Sequence, residues 1–381
     1  MRVLHVITGL GIGGAEQQLR LLLRHLPVGG EVVTLTNPGA VAAGIVADGT
    51  KVTHLGMTGN RDVGALPRLA RIVRQGRYDL VHTHLYRACV YGRTAARLAG
   101  VRRVIATEHS LGETQIEGRP LSAATRALYL ASERLGTSTV AVSPSVARRL
   151  ADWGVPPQRI RVVPNGIETG RFAFDPRARR LTRGVLGIPE DAYVIGGVGR
   201  LTPGKRFDRL VRAVAAVPEA RLLLVGEGEH RAELLRVARE CGAGGRTLLF
   251  GACEDPPTGG PMGGPLGPTM PELLAAMDVF VSTSPDETFG LAAVEALAAG
   301  LPVLYVACPA IEDLPPEAAP GARRIGASEP ELVSALRGVR DARPGRLPPP
   351  EAARRYDIAH SARQLMSLYD HAVHGDPSPA K

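Results

Sequence analysis

Residues 1–25 read MRVLHVITGLGIGGAEQQLRLLLRH and combine a strand pattern, a glycine loop and a helix pattern. The apolar run Val3–Ile7 predicts a buried strand, and the amphipathic stretch Ala15–His25 predicts a helix. Between them, the glycines of residues 9–14 match the spacing GxGxxG of a dinucleotide-binding turn. Such a strand, loop and helix predict the first unit of a parallel α/β domain of the Rossmann type.

Short apolar runs alternate with helical patterns along the rest of the chain, which is typical of parallel α/β architecture. The first series covers residues 1–167 and the second covers residues 190–357, and each is long enough for one Rossmann-like domain. The arginine-rich segment 168–189 is broken by prolines and is predicted to be the interdomain linker. A last helical pattern runs from Glu351 to about Tyr369. Because it follows the second sheet, it is expected to pack elsewhere.

The second series also contains a segment without helix or strand pattern. Residues 256–271 read PPTGGPMGGPLGPTMP and predict a flexible loop. The predicted strands of this series are Tyr193–Val198, Arg221–Val225, Thr247–Phe250, Val279–Ser282 and Val303–Val306.

Composition indicates a cytoplasmic protein. Hydrophobic residues make up 44% of the chain, which supports two cores, and no apolar segment approaches the roughly 20 residues of a membrane span. The first residues form a strand pattern rather than a signal peptide. The four cysteines are far apart and form no CxxC pair, so reduced thiols are expected instead of disulfides or a zinc cluster. They are Cys89, Cys241, Cys253 and Cys308.

The net charge of +9 is unevenly distributed. Residues 1–167 carry +11 and the remainder carries −2. A basic half attracts nucleic acid, an anionic membrane or an anionic small molecule. The sequence contains no nucleic-acid-binding motif, so a nucleic-acid partner is not expected. Peripheral contact with the inner face of a membrane stays open.

A basic loop follows the first strand of the second series. Residues 198–206 read VGRLTPGKR, and three cations beside glycines can clamp a diphosphate. Lys205 is one of only three lysines in an arginine-rich chain. A P-loop is excluded, because Arg206 stands where that motif requires Ser or Thr. The alternative interpretation is a solvated basic turn.

Two glutamates flank the start of a later helix pattern in residues 287–295, ETFGLAAVE. Phe289, Gly290 and Leu291 fall at the helix start, where free N–H groups can hold a phosphate. Glu295 lies within an apolar stretch, where a carboxylate requires a partner such as a ribose diol. The alternative is an exposed glutamate on an amphipathic helix.

The first glycine loop and the nearby histidines leave other interpretations open. A NAD site needs an acid after the second strand, and Thr34–Asn37 contains none, which argues against NAD. A tight structural turn would need the same glycines. His82 and His84 alternate with apolar and small residues, and we expect only one of them to face the ligand. Two histidines do not complete a metal site, so no metal is predicted. His5 is interpreted as a satisfied strand residue.

Taken together, the motifs resemble those of the retaining glycosyltransferases of family 4, which have the GT-B fold. They occur in the order of that family and cover nearly the whole chain. The matching motifs are Gly11-Ile-Gly13-Gly14-Ala-Glu16, Thr107-Glu-His109, Val163-Pro-Asn165-Gly166, Gly199-Arg200 with Lys205, Val225-Gly-Glu-Gly228, and Glu287 with Glu295.

The resemblance implies two Rossmann-like domains facing across a cleft, with the acceptor bound by the first and the nucleotide sugar by the second. It also implies a C-terminal helix, about residues 358–381, that crosses back to the first domain. Arg200 and Lys205 would hold the donor diphosphate, Glu295 the ribose and Glu287 the transferred sugar. His109 would contact that sugar across the cleft. The other donor-binding residues that the resemblance implies are Gly13, Gly14, Asn165, Glu227, Phe250, Gly251, Thr288, Phe289, Gly290 and Leu291.

The expected function is hexosyl transfer from a nucleotide diphosphate sugar, most readily a UDP- or GDP-sugar, in polysaccharide or glycoconjugate biosynthesis. The resemblance implies retention of anomeric configuration, and no metal or other cofactor is expected. The acceptor is left open among a small molecule, a glycan and a lipid-linked sugar. The alternatives are a sugar phosphorylase or nucleotide-sugar epimerase, a non-catalytic nucleotide-sugar-binding protein, and an NAD oxidoreductase.

Overall fold

The chain is divided between two units, and the first contains both ends of the described sequence. Met1–Gly166 and Ile358–Lys381 form the first, and Ile167–Asp357 form the second. The computed structural model describes residues 1–59, 62–113, 115–117, 119–253 and 267–375. Most of the loop predicted at residues 256–271 therefore lies outside the described residues. No helix in the described ranges is long and apolar enough to cross a membrane.

The first unit contains a seven-stranded parallel sheet with the strand order β3-β2-β1-β4-β5-β8-β9. A short antiparallel hairpin, β6 with β7, follows the fifth strand. The strands are β1 Arg2–Ile7, β2 Gly29–Thr34, β3 Lys51–His54, β4 Leu80–His84, β5 Val104–Glu108, β6 Gln115–Ile116, β7 Arg119–Pro120, β8 Ser138–Ala141 and β9 Ile160–Val162.

Helices cover both faces of this sheet, and alternate residues of each strand supply the two cores. Val81 and Leu4 belong to the core on one face, whereas Val3 and Leu80 belong to the core on the other. The helices in this part of the chain are α1 Gly14–His25, α2 Gly39–Ala47, α3 Ala65–Gly76, α4 Tyr86–Leu98, α5 Ala123–Glu133 and α6 Pro144–Trp153.

The second unit repeats the pattern around a six-stranded parallel sheet with the order β12-β11-β10-β13-β14-β15. Its strands are β10 Tyr193–Val198, β11 Ala220–Val225, β12 Thr247–Gly251, β13 Val279–Ser282, β14 Val303–Tyr305 and β15 Ala322–Arg324. Its helices are α7 Pro176–Val185, α8 Phe207–Ala215, α9 Arg231–Glu240, α10 Met270–Ala276, α11 Leu291–Ala298, α12 Pro309–Glu312, α13 Glu329–Ala342 and α14 Glu351–Arg355.

The segment 168–189, expected to be a linker, is instead part of the second unit. It contains helix α7, which begins with Pro176 at its first turn and with the Asp175 side chain accepting a hydrogen bond from the Arg177 N–H. Proline at the first helical position favours a helix start, because no N–H is lost there. Arg183 is buried and anchors the helix through four backbone carbonyls and Asp278.

The single helix pattern predicted from Glu351 to Tyr369 is two helices. The chain leaves α14 and continues as α15 Ile358–His374, which belongs to the first unit. Ile358, Leu365 and Tyr369 of α15 are buried in the same core as Val3 and Leu80. The final helix therefore packs on one face of the sheet of the first unit.

Candidate active site

The strand order of each sheet reverses beside its first strand. In the first unit β1 lies between β2 and β4, and in the second unit β10 lies between β11 and β13. Open parallel sheets bind ligands at the carboxyl ends of the strands at such a reversal. In the second unit, the predicted residues Arg200 and Lys205 follow β10, and Glu287 follows β13.

Glycines hold the loop that follows β10 against the loop that follows β11. Gly226 has a φ of 143°, and a Cβ atom there would lie 2.0 Å from the carbonyl oxygen of Gly199. The Leu201 N–H donates to the Glu227 carbonyl oxygen at 2.9 Å. Because a side chain at Gly226 would drive these loops apart, glycine is required there.

Lys205 and Glu287 form an ion pair at this reversal. The Lys205 Nζ lies 2.5 Å from the Glu287 Oε1, and their side chains are 27% and 14% exposed. The Thr283 hydroxyl donates to the Lys205 carbonyl oxygen at 2.7 Å, which ties the basic loop to the end of β13. Thr283 could not be identified from the sequence, because it has no charge or motif of its own.

A second source of positive potential lies at the start of α11. Gly290 caps this helix with a φ of 100°, and a Cβ atom there would lie 2.4 Å from the Cys308 Sγ. The first N–H groups of a helix have no partner within the helix and can bind an anion. Arg200 is exposed, and its guanidinium makes no hydrogen bond with any residue that the structure describes. Its guanidinium is therefore available to a ligand.

The other residues predicted around α11 differ in their burial. Phe289 is buried and packs edge-on against the ring of Tyr356, with 5.0 Å between the ring centroids. Thr288, Leu291 and Glu295 are half-buried. Phe289 therefore fixes the helix start as a packing residue, whereas the other three keep a surface that a ligand can reach.

Glu227, Phe250 and Gly251 lie together at the ends of β11 and β12. The Gly226 N–H donates to the Gly251 carbonyl oxygen at 2.7 Å, and a Cβ atom at Gly251 would lie 3.0 Å from the Glu227 Oε1. Glu227 is exposed and pairs with Arg231 at 3.4 Å. The structure therefore joins this group to the basic loop through backbone hydrogen bonds.

In the first unit, the glycine loop connects β1 to α1, which begins at Gly14 with Gly13 as its N-cap. The Leu10 N–H donates to the Asn37 carbonyl oxygen at 2.7 Å. Gly39, with a φ of 55°, comes so close that a Cβ atom there would lie 2.2 Å from the Leu10 carbonyl oxygen. The loop is thus held in a fixed conformation at the carboxyl end of β1.

His109 follows β5 and is buried. Burial lowers the pKa of His109 to about 4, because the charged imidazolium loses its hydration. The neighbouring Glu108 is also buried, and loss of hydration raises the pKa of its carboxyl to about 7. Its Oε1 accepts hydrogen bonds from the N–H and the hydroxyl of Ser110. His109 is therefore a neutral hydrogen-bonding group at neutral pH.

Asn165 is buried beside the point where the chain leaves the first unit. The neighbouring Gly166 N–H donates to the Gln18 Oε1 at 3.1 Å, which links this segment to α1. A Cβ atom at Gly166 would lie 2.6 Å from the Ile358 Cα. Asn165 and Gly166 thus lie between the glycine-loop helix and the start of α15.

His82 and His84, of which only one was expected to face the ligand, lie on the same face of the first sheet. Side chains two positions apart on a strand share one face, and these rings lie 4.1 Å apart between centroids. Nitrogen atoms of His5, His82 and His84 lie within 4.8 Å of one another, so three imidazoles that could bind a metal do meet. His82 is hydrogen-bonded within the protein, to Tyr369 at 2.6 Å and Thr107 at 2.7 Å. Alternation of His82 and His84 was the sequence signal for this cluster.

Two family models match the chain. The model described as Glycosyltransferase Family 4 matches residues 12–171, and the model described as Glycosyl transferases group 1 matches residues 192–337. The two matches fall on the two α/β series.

Several characterised relatives are similar in sequence. The UDP-Gal:alpha-D-GlcNAc-diphosphoundecaprenol alpha-1,3-galactosyltransferase of Escherichia coli is 29% identical over 64% of this chain, which spans 62% of that relative's length. The GDP-mannose-dependent alpha-mannosyltransferase of Mycobacterium tuberculosis is 31% identical, over 77% of this chain and 75% of that protein. The D-inositol 3-phosphate glycosyltransferase of a Nocardioides species is 30% identical, over 96% of this chain and 85% of that protein.

The fold also matches solved structures. A crystal structure of Anabaena HepE in complex with UDP and glucose superposes with a TM-score of 0.82, covering 97% of this chain and 99% of that chain at 22% identity. This agreement confirms the predicted GT-B fold with two Rossmann-like domains.

Proposed function

Because the chain belongs to the group 1 glycosyltransferases of family 4, we propose that it transfers a hexosyl group from a nucleotide diphosphate sugar with retention of configuration and without a metal. The observation that carries the proposal is the ion pair of Lys205 and Glu287 at the strand reversal of the second unit. In this proposal, the cation binds the diphosphate and the carboxylate beside it binds sugar hydroxyls. The sequence relatives include both UDP-sugar and GDP-sugar enzymes by name, so the base is left to experiment.

Positive groups of this site stabilise the leaving diphosphate. When the anomeric C–O bond breaks, negative charge grows on the diphosphate oxygen. Lys205, Arg200 and the N–H groups at the start of α11 supply positive potential for that charge, which is the role a metal plays in other transferases. This set supports transfer without a metal, and activity that survives an excess of chelator would test that point.

The new glycosidic bond is expected on the face that the diphosphate leaves. The acceptor hydroxyl attacks the anomeric carbon there and gives its proton to the departing diphosphate oxygen. Glu287 is engaged by Lys205 at 2.5 Å, which favours sugar binding over a role as covalent nucleophile. The names of two relatives describe the transfer of α-linked sugars, which agrees with retention from an α-linked donor.

We place the acceptor on the first unit and propose that it is anionic. The support is the +11 charge of residues 1–167 and the names of two relatives, whose acceptors carry a diphosphate or a phosphate. A lipid-linked acceptor would bring this basic half to the inner face of a membrane, from the cytoplasm. Added salt should raise the KM for such an acceptor; an unchanged KM would contradict its anionic nature.

Product analysis tests the proposed function. The protein would be incubated with UDP- and GDP-sugars and phosphorylated or glycosidic acceptors, and the product would be identified by NMR. An α-glycoside from an α-linked donor supports the proposal. Sugar 1-phosphate formed from inorganic phosphate would indicate a phosphorylase. Inversion of one sugar carbon on an otherwise intact donor would indicate an epimerase. Binding of the donor without turnover would indicate a non-catalytic protein.

A pair of variants links the activity to the site. Lys205→Met keeps the length of the side chain but removes its charge, so we expect a loss of transfer of about a hundredfold or more. Arg212→Ala removes an exposed cation from α8 in the same unit and should leave transfer unchanged. Equal activity of both variants would show that Lys205 does not carry the reaction.

A further inference from the structure

Three buried histidines form a hydrogen-bonded chain in the first unit. The Nδ1 of His5 lies 3.1 Å from the Nε2 of His84, and the Nδ1 of His84 lies 3.2 Å from the Nε2 of His109. The residues lie on β1, at the end of β4 and directly after β5. The chain therefore runs from the middle of the sheet to the carboxyl ends of its strands. We call His5, His84 and His109 the histidine chain.

The imidazoles of the histidine chain are neutral in the folded protein. Burial lowers the pKa of His5 to about 3 and that of His109 to about 4, and it lowers the pKa of His84 well below its ordinary value. A neutral imidazole carries one N–H donor and one bare acceptor nitrogen. His84 uses one nitrogen toward each neighbour, so it must donate to one of them and accept from the other.

This arrangement couples the tautomers of all three rings. If His84 donates from Nδ1, then Nε2 of His109 is bare and His5 donates from its Nδ1. If His109 donates from Nε2, then His84 donates to His5, and the Nδ1 of His109 is the bare nitrogen. A mixed state would place two N–H groups, or two lone pairs, face to face in a buried site, which is costly.

We propose that His84 and His5 are positioning residues that set which nitrogen of His109 carries its proton. The inference rests on the proposed function and on the family resemblance, which implies that His109 contacts the transferred sugar. It means that His109 meets a sugar hydroxyl with a defined donor or acceptor nitrogen instead of a mixture. The buried hydrogen bonds of the histidine chain would also hold the ring of His109 in one orientation.

Nitrogen NMR of the full chain, labelled with ¹⁵N-histidine and without donor, tests the coupling directly. The ¹⁵N shifts distinguish protonated from bare nitrogens, and wild-type His109 should show one dominant tautomer. His84→Phe removes both hydrogen bonds and should give His109 a mixed or reversed tautomer. His84→Gln keeps one donor and one acceptor and should restore the wild-type shifts in part.

Tyr369→Phe is the matched control for general disturbance of this buried layer. It removes the hydroxyl beside His82, which lies outside the histidine chain, and leaves a ring of the same shape. We expect it to change the shifts of His82 and leave those of His109 as they are. If Tyr369→Phe alters His109 as much as His84→Phe does, or if neither variant alters it, the inference is overturned.

Kinetics connect the coupling to catalysis. His84→Phe should lower kcat by about tenfold to a hundredfold, as expected for a residue that orients a ligand-contacting histidine, while the KM for the donor changes by less than about threefold. If wild type shows no transfer but the tautomer of His109 still responds to His84, the proposed function fails and the histidine chain stands. A metal ion bound at one per wild-type chain and lost in His84→Phe would overturn the inference, since the imidazoles would then be ligands.

Discussion

For Lys205 and Glu287, the sequence indicated a function for each residue but not the contact between them. Their types were informative, because a lysine is rare among the arginines of this chain and the glutamate precedes a helix start. Their contact at 2.5 Å was not predictable, since they are 82 positions apart. It arises because β13 is the neighbour of β10, and strand order is a property of the whole sheet.

Gly290→Ala should disturb the start of α11. Gly290 has a φ of 100°, and a Cβ atom there would lie 2.4 Å from the Cys308 Sγ. Gly242→Ala is the control, because Gly242 has a φ of 75° but no atom near the position of a Cβ. The control should lose about 1–2 kcal/mol of unfolding free energy for the left-handed backbone alone. Gly290→Ala should lose more and should also weaken donor binding, as measured by urea unfolding and calorimetry.

The double variant Gly290→Ala with Cys308→Ala separates clash from backbone strain. Removing the sulfur should restore part of the stability that Gly290→Ala loses, so the two effects should not add. Additive losses would mean that Cys308 does not limit this position. Equal losses in Gly290→Ala and Gly242→Ala would contradict the close packing at the helix start.

At the scale of elements, strands were predictable and some helices were not. Tyr193–Val198 and Val279–Ser282 were predicted with the bounds that β10 and β13 have, since buried parallel strands are continuous apolar runs. Helix α7 was taken for part of a linker because the segment is arginine-rich and is broken by prolines. Two of those arginines, Arg179 and Arg183, bind backbone carbonyls and Asp278, which composition alone does not show.

Arg183→Met should destabilise the second unit. Arg183 is 1% exposed and donates to four carbonyl oxygens and Asp278, and the variant leaves these acceptors without that partner. We expect a loss of about 3 kcal/mol or more in urea unfolding. Arg180→Ala, an exposed arginine of the same helix, should change the stability by less than about 0.5 kcal/mol. Equal effects would show that α7 is held by other contacts.

The buried histidines of the first sheet predict that acid weakens the fold. Burial lowers the pKa of each, to about 3 for His5 and about 4 for His109, so only the unfolded chain takes up protons below pH 6.5. Each of these histidines therefore lowers the free energy of unfolding by about 1.4 kcal/mol between pH 7.5 and 5.5. Glu108, with its pKa raised to about 7, and Glu117, with a raised pKa, act in the opposite direction.

Urea unfolding at pH 7.5 and 5.5 measures this balance. We expect a net loss of about 3 kcal/mol at the lower pH, because four buried histidines outweigh the two carboxyls. His5→Phe removes one titrating group and should reduce the loss by about 1.4 kcal/mol. A stability that is constant over this range, or rises toward acid, would contradict the neutral state of these histidines.

At the scale of the molecule, the sequence predicted two parallel α/β units and their order. The structure places the crossings of the chain between the units at Gly166 to Ile167 and at Asp357 to Ile358. The second crossing divides the single helix pattern that was predicted from Glu351 to Tyr369. The periodicity of a helix pattern does not show against which of two cores the apolar face packs. Ile358 and Tyr369 face the core of the first unit, whereas Tyr356 packs on Phe289 of the second.

We propose that Lys205 and Glu287 hold the diphosphate sugar donor in the second unit. Melting temperature would be followed while UDP, GDP, ADP, dTDP and NAD are titrated into wild type, Lys205→Met and Arg212→Ala, since a ligand that binds the native state raises its stability. We predict that one nucleoside diphosphate stabilises wild type and Arg212→Ala and loses its effect in Lys205→Met. Stabilisation by NAD alone, by no nucleotide, or equally in all three proteins would contradict the claim.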